Sequence, residues 1–139
     1  MLKYIFIVST LLICLFIGWY FTFVFNESLY FHKNSIKFYM LIPDEISEIP
    51  LFNSKEEVYY YSSGDGATVG RTAVSYYSSL EKDKILEKYR LYFNKQKGTM
   101  NITKSGNVMI KFLEKKESLG IEIKNDALGN RITIENFSE

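Results

Sequence analysis

The strongest candidate for ligand-binding chemistry is the glycine-rich segment 64–72, which reads GDGATVGRT. A phosphate-binding loop needs glycines that let consecutive backbone N–H groups converge, then a lysine and a hydroxyl residue that open a helix. Here Asp65 stands at the first glycine position, Arg71 replaces the lysine, and a strand pattern follows. We interpret the segment as a hairpin loop. It is also the loop where a partner contact is most expected, since scaffolded loops commonly carry binding residues.

Residue types that serve catalysis or metal binding are scarce. His32 is the only histidine and Cys14 the only cysteine, which excludes a disulfide framework and a Cys/His metal cluster. The acidic pairs Glu45–Glu48 and Glu56–Glu57 would act as acid and base only if buried and opposed across a cleft. We therefore expect no catalytic residue, no cofactor and no metal, and a protein that is not an enzyme.

Tyrosines flank the glycine loop on two predicted strands. Those at 59–61 and 76–77 are expected to be cross-strand neighbours, half of them facing the core and half exposed. Exposed tyrosines supply a large contact area at low entropic cost. The alternative is ordinary sheet filling, because Phe, Tyr, Asn, Ile and Lys make up 60 of the 139 residues. The candidate partner-contact residues are Tyr59, Tyr61, Asp65, Arg71 and Tyr76.

The overall charge gives little guidance about partners. Lys and Arg total 17 against 16 Asp and Glu, for a net charge of +1. Nucleic-acid binding is not expected, because it calls for a basic stripe or patch. No small-molecule ligand is indicated either.

The N-terminus carries a predicted membrane span. Residues 4–25 are 22 consecutive uncharged residues, and as a helix they would be about 33 Å long, enough to cross a hydrocarbon core of about 30 Å. Trp19 and Tyr20 lie toward the distal end, where an aromatic belt is expected. We assign residues 1–25 as a transmembrane signal anchor that contacts the lipid bilayer through residues 4–25.

Two alternatives to an anchor are a cleaved signal peptide and a lipoprotein. A signal peptide has a shorter apolar core and a pair of small residues at the cleavage site, which this segment lacks. Cys14 follows Leu12 and Ile13 in mid-run, so it lacks the small preceding residue of an acylation site. The short head before the span predicts a cytoplasmic N-terminus and an extracytoplasmic domain, at the inner or plasma membrane of a bacterial cell.

Residues 26–48 are predicted to be a juxtamembrane connector. Its apolar stretch 36–42 could be a first strand or an amphipathic piece lying against the lipid headgroups. Pro43 and Pro50, the only prolines, mark breaks on either side of residues 44–49.

Residues 49–139 are predicted to be a small α+β domain. Ser78 and Glu81 have the spacing of a capping box, and an amphipathic pattern ending before Gly98 predicts a helix over 79–97. Runs of β-branched and aromatic residues, with alternating polarity, predict strands at 58–62, 71–77, 99–103, 108–114, 119–124 and 131–137. The expected fold is an antiparallel β-β-α-β-β-β-β sheet covered by one amphipathic helix, below an N-terminal transmembrane helix.

These patterns indicate a single-pass membrane protein whose non-catalytic domain binds another protein, as an accessory subunit, an assembly factor or an immunity-type inhibitor would. An alternative is a small subunit that a membrane complex recruits through the transmembrane helix, with a domain that is only structural. An enzyme of unidentified type is the third hypothesis.

Overall fold

The computed structural model describes residues 2–24, 29–64, 70–103, 107–112 and 117–138. Within these ranges it contains an N-terminal helix, one antiparallel sheet and three further helices, so the predicted α+β class is confirmed. The first helix is long and apolar enough to span a membrane. In chain order the elements are α1 (Leu2–Val24), β1 (Leu29–Phe31), α2 (Ile36–Leu41), α3 (Asp44–Ser47), β2 (Ser54–Ser62), β3 (Arg71–Ser78), α4 (Lys82–Lys95), β4 (Gly98–Ile102), β5 (Val108–Phe112), β6 (Glu117–Asp126) and β7 (Gly129–Ser138).

The sheet has seven strands in the order β1-β2-β3-β7-β6-β5-β4. Each strand pairs with a chain neighbour, and the central β3–β7 pair joins the two halves. The predicted element order therefore lacked β1, at one edge of the sheet. A three-residue strand is too short to show a readable alternation.

The predicted connector contributes to the core of the domain. Residues 36–42 are mostly helical, so the first-strand alternative is wrong: Ser35 caps α2 by accepting a hydrogen bond from the backbone of Phe38 at 3.1 Å. Phe38 and Ile46 are buried, as are Leu29 and Phe31 of β1. These buried residues of the segment therefore belong to the core cluster of the domain.

The predicted helix over 79–97 is present as α4, with different ends. Its N-cap is Glu81 without a side-chain cap bond, so the predicted capping box is wrong. Ser78 is the last residue of β3, and its hydroxyl accepts from Leu80 at 3.2 Å and donates to the Phe52 carbonyl at 2.8 Å. At the other end Lys97, with φ 59°, takes the left-handed conformation expected of Gly98, which instead begins β4.

The core lies between one face of the sheet and the helices α2, α3 and α4. Ile85, Tyr89 and Phe93 of α4 are buried, as the predicted apolar stripe requires. They belong to one cluster with the inward side chains of the central strands, including Tyr59, Val74, Tyr76, Ile110, Ile121, Ile132 and Ile134. The opposite face of the sheet lacks this apolar cluster.

A pair of buried phenols links β3, α4 and the segment before β2. The hydroxyls of Tyr76 and Tyr89 lie 2.6 Å apart, and Tyr89 donates to the Pro50 carbonyl at 3.0 Å. A carbonyl can only accept, so the proton of Tyr89 is used there and Tyr76 donates to Tyr89. Burial raises the pKa of Tyr76 and Tyr89 and keeps both phenols protonated.

The shared bond predicts non-additive losses when the two hydroxyls are removed. Tyr89→Phe leaves the Pro50 carbonyl and the Tyr76 hydroxyl without their partner, and should lower the free energy of unfolding by about 2–3 kcal/mol. Tyr76→Phe removes the bonds of the Tyr76 hydroxyl with Tyr89 and with the Phe52 backbone, so a similar loss is expected. The double variant should lose about 1 kcal/mol less than the sum of the two, because both single variants break the same bond. Urea denaturation of the three variants measures these values, and additive losses would contradict the shared bond.

Candidate functional site

The face of the sheet that turns away from the helices is the candidate interaction surface, and we call it the open face. Side chains alternate across a strand, so the residues between the core positions of β2, β3, β6 and β7 share this face. Tyr30 of β1 joins them beside Tyr60. The open face comprises Tyr30, Val58, Tyr60, Arg71, Ala73, Ser75, Tyr77, Glu122, Lys124, Arg131, Thr133 and Glu135.

The open face carries charges of both signs that form ion pairs within and between strands. Arg71 forms an ion pair with Glu135, and this hydrogen bond raises the pKa of the guanidinium. Lys124 lies 2.9 Å from Glu122 on the same strand. The Arg71 and Lys124 side chains are 48% and 69% exposed, so both pairs remain accessible to a partner. Exposed ion pairs of this kind contribute little to the free energy of unfolding, so a partner could displace them at little cost to the fold.

Two tyrosines form an aromatic corner on this surface. The Tyr30 and Tyr60 ring centroids are 5.0 Å apart with a 48° tilt, and Tyr30 is 73% exposed. Together with Arg71 and Arg131 they border a shallow depression of about 350 Å³. The depression is open and polar, so it is suited to a contact surface and does not enclose a small ligand.

The predicted contact residues do not share one surface. Tyr59 and Tyr76 are each 1% exposed and lie in the core, so neither can touch a partner in this fold. Tyr61 packs half-buried against the same core, whereas Arg71 lies on the open face. Asp65 falls outside the described residues.

The strand register explains this distribution. Tyr59 is paired with Val74, and Tyr77 with Lys55, so the predicted cross-strand tyrosine neighbours do not form. Tyr60 follows Tyr59 and must point the opposite way, and strict alternation could have identified it from the sequence. Tyr30 could not be identified in this way, because a strand of three residues is too short to show an alternating pattern.

The glycine loop connects the two paired strands β2 and β3. Gly64, with φ 69°, leaves β2, while Arg71 and Thr72 are already part of β3. A phosphate-binding loop would open a helix at this point. The described ends are those of a hairpin connection, as predicted, and residues 65–69 lie outside the described part.

Glu57 of the acidic pairs and the histidine have structural partners. Glu57 accepts from Ser54 at 2.7 Å, and His32 Nδ1 lies 3.1 Å from the Glu57 carbonyl. Glu45 and Glu48 border a second cavity, of about 320 Å³, between α3 and α4. Within the described ranges, no three His, Cys, Asp or Glu residues are grouped so that they could hold a metal ion.

The open face therefore presents tyrosines and charges of both signs at the surface of the sheet. Comparison of the chain with protein-family models, with curated proteins and with solved structures finds no match.

Proposed function

We propose that this protein is anchored in a membrane by α1 and that its α+β domain binds another protein through the open face. The observation that carries the anchoring is α1 itself. Its residues 3–21 have a mean hydropathy of 2.2, and none of that stretch is buried by the rest of the chain. At 1.5 Å per residue its 23 residues reach about 34 Å, which matches a hydrocarbon core of about 30 Å.

We propose the orientation that places Lys3 in the cytoplasm. Lys3 flanks the N-terminal end of α1, and lysines that flank a span are more frequent on the cytoplasmic side. We therefore propose a bacterial inner or plasma membrane protein with the domain on the extracytoplasmic side, acting as an accessory subunit, an assembly factor or an inhibitor.

Protein binding is supported by the composition of the open face. Tyrosine and arginine are enriched in protein interfaces, and Tyr30, Tyr60, Arg71 and Arg131 lie around one depression. Charges of both signs favour a partner with a complementary charge pattern, because a protein with any other pattern would bring like charges together.

A second candidate function is recruitment through α1 itself. Apart from its own stretch of helix, nothing lies within 4 Å of the position where a Cβ of Gly18 would be, and small residues let transmembrane helices approach closely. In this alternative the domain is structural and the helix selects the partner.

Crosslinked affinity capture with three full-length chains and one matched control variant separates these functions. The first is the native chain, the second has α1 replaced by an unrelated apolar helix of equal length, and the third carries Arg131→Glu on the open face. Arg90→Glu, on α4 and exposed, is the matched charge reversal away from that face. We expect the helix replacement and Arg90→Glu to capture the native partner, and Arg131→Glu to capture at least about tenfold less.

Capture that requires the native α1 and ignores Arg131→Glu would contradict the proposal and favour recruitment by the helix. The helix replacement should keep every residue from Leu29 onward, because β1 pairs with β2 and its apolar residues are buried. A chain whose N-terminal residues were removed past Phe31 would lack β1. A loss of capture by that chain could then reflect a folding defect or a binding defect.

A further inference from the structure

We propose that the outward face of α2 lies in the interfacial layer of the membrane that anchors the protein, so that the domain rests on the bilayer. The proposal depends on α1 being a membrane span, as proposed above. The face consists of Ile36, Tyr39 and Met40, and we call it the α2 patch. It is independent of the open face, which belongs to the other side of the sheet.

The helix geometry of α2 turns these three side chains to the same side. At about 100° per residue, Ile36, Tyr39 and Met40 fall within an arc of about 100°, and Phe38 points nearly the opposite way. Phe38 is buried and packs edge-on against Tyr59, with ring centroids 4.7 Å apart. The core contact of Phe38 therefore fixes the patch outward.

The α2 patch is a concentrated apolar surface. Ile36, Tyr39 and Met40 are 73%, 70% and 50% exposed. Single exposed apolar residues are common, but three on one helical turn mark an interaction site. Tyr39 also donates to the Asn34 side chain at 3.2 Å, so its ring is apolar while its hydroxyl already has a polar partner. Tyrosine is typical of the membrane–water interface for this reason.

The chain length after α1 keeps the α2 patch close to the membrane. Val24 and Leu29 are five residues apart, which limits their separation to about 18 Å. Leu29 and Phe31 pair with Tyr61 and Tyr59, and Tyr59 is the residue on which Phe38 packs. Among the described residues between the proposed span and the patch, the short strand β1 is thus the only element.

The charges beside the α2 patch match the headgroup region. Lys33 precedes the helix and Lys37 lies on it, and neighbouring lysines are attracted to lipid phosphates. Interfacial segments typically combine a buried apolar face with such flanking cations. This pattern favours a lipid surface as the occupant over a protein groove, which would not require cations.

Depth-dependent quenching of single tryptophans tests the placement in the full-length chain. Trp19 is the only tryptophan and reports on α1. The double variant Trp19→Phe/Tyr39→Trp reports on the α2 patch, and Trp19→Phe/Leu128→Trp is the matched control at the β6–β7 turn, where Leu128 is 69% exposed. Each chain is placed in vesicles of phosphatidylcholine and phosphatidylglycerol that contain lipids spin-labelled near the headgroup or deep in the acyl chain.

We expect the lipid labels, most strongly those near the headgroup, to quench Trp19 in the distal aromatic belt. We expect headgroup labels to quench the tryptophan at 39 about twofold while leaving the one at 128 unchanged. Adding Ile36→Asp and Met40→Asp should abolish the quenching at 39. Quenching at 39 by aqueous iodide alone, as at 128, would overturn the proposal. Shielding at 39 from both lipid labels and iodide would also overturn it and indicate a protein or a second copy on the patch. Absence of lipid quenching at Trp19 would instead reject the proposed span.

Discussion

Phe38→Ala is expected to lower the free energy of unfolding of the domain by about 3–5 kcal/mol. Phe38 lies in a segment that the sequence presents as a connector, yet its ring is 6% exposed and packs against Tyr59. Alanine would leave a cavity between α2 and the sheet, beside Phe31 of the edge strand. Urea denaturation of the full-length chain in mild detergent, followed by circular dichroism, gives the loss.

Ile36→Ala on the same helix is the matched control. Ile36 is 73% exposed, so the substitution should change the free energy of unfolding by no more than about 0.5 kcal/mol. Equal losses for the two variants would show that α2 does not pack through Phe38. A negligible loss for both would return residues 36–41 to the role of a connector.

The double variant Leu12→Arg/Ile13→Arg is expected to release the protein from membranes. Both positions lie near the middle of α1, where each arginine costs about 2.5–3.5 kcal/mol on insertion, or about 5–7 kcal/mol together. Such a cost exceeds what tilting or side-chain snorkelling near a helix end could relieve. Alkaline carbonate extraction of cell membranes measures the fraction that remains embedded.

Leu128→Arg is the control for this variant, because it adds a charge at an exposed turn of the domain. We expect that variant to stay in the membrane fraction with the native chain. If the double variant also stayed there after extraction, α1 would not be the anchor, and the proposed function would lose its principal support.

The parts of the fold that could be predicted from the sequence are those with long, periodic patterns. The predicted stripe of α4 comprises Ile85, Leu86, Tyr89, Tyr92 and Phe93. Ile85, Tyr89 and Phe93 are buried, and Leu86 and Tyr92 are partly buried against the core. The alternation in β7 placed Ile132 and Ile134 on the inner face. In each case several turns or residue pairs repeat the same signal, so no single exception changes the result.

The features that could not be predicted depend on tertiary contacts. Ser78 and Glu81 have the spacing of a capping box. However, the Ser78 backbone belongs to β3 and its hydroxyl donates to the Phe52 carbonyl, so Ser78 does not cap α4. The left-handed residue after α4 is Lys97. Gly98 is the first residue of β4, where a Cβ would lie 3.2 Å from side-chain atoms of Ile110 and Phe112.

The candidate site shows the same limit. Choosing tyrosines by type selected Tyr59 and Tyr76, which the register directs inward, and Arg71 alone of the described candidates lies on the open face. Alternation could have exchanged Tyr59 for Tyr60. The partnership of Tyr60 with Tyr30 depends on β1, whose three residues carry too little pattern to be recognised.

The position of β7 has a consequence for biosynthesis. β7 is the last strand in chain order, yet it lies between β3 and β6 and joins the two halves of the sheet. Val74 cannot pair with its partner Ile134 until the ribosome has added sixty more residues, whereas α1 is synthesised before either of them. Contacts of such high contact order form slowly. A nascent chain would therefore engage the membrane while its sheet is still divided, and its exposed strand edges would need protection until synthesis reaches β7.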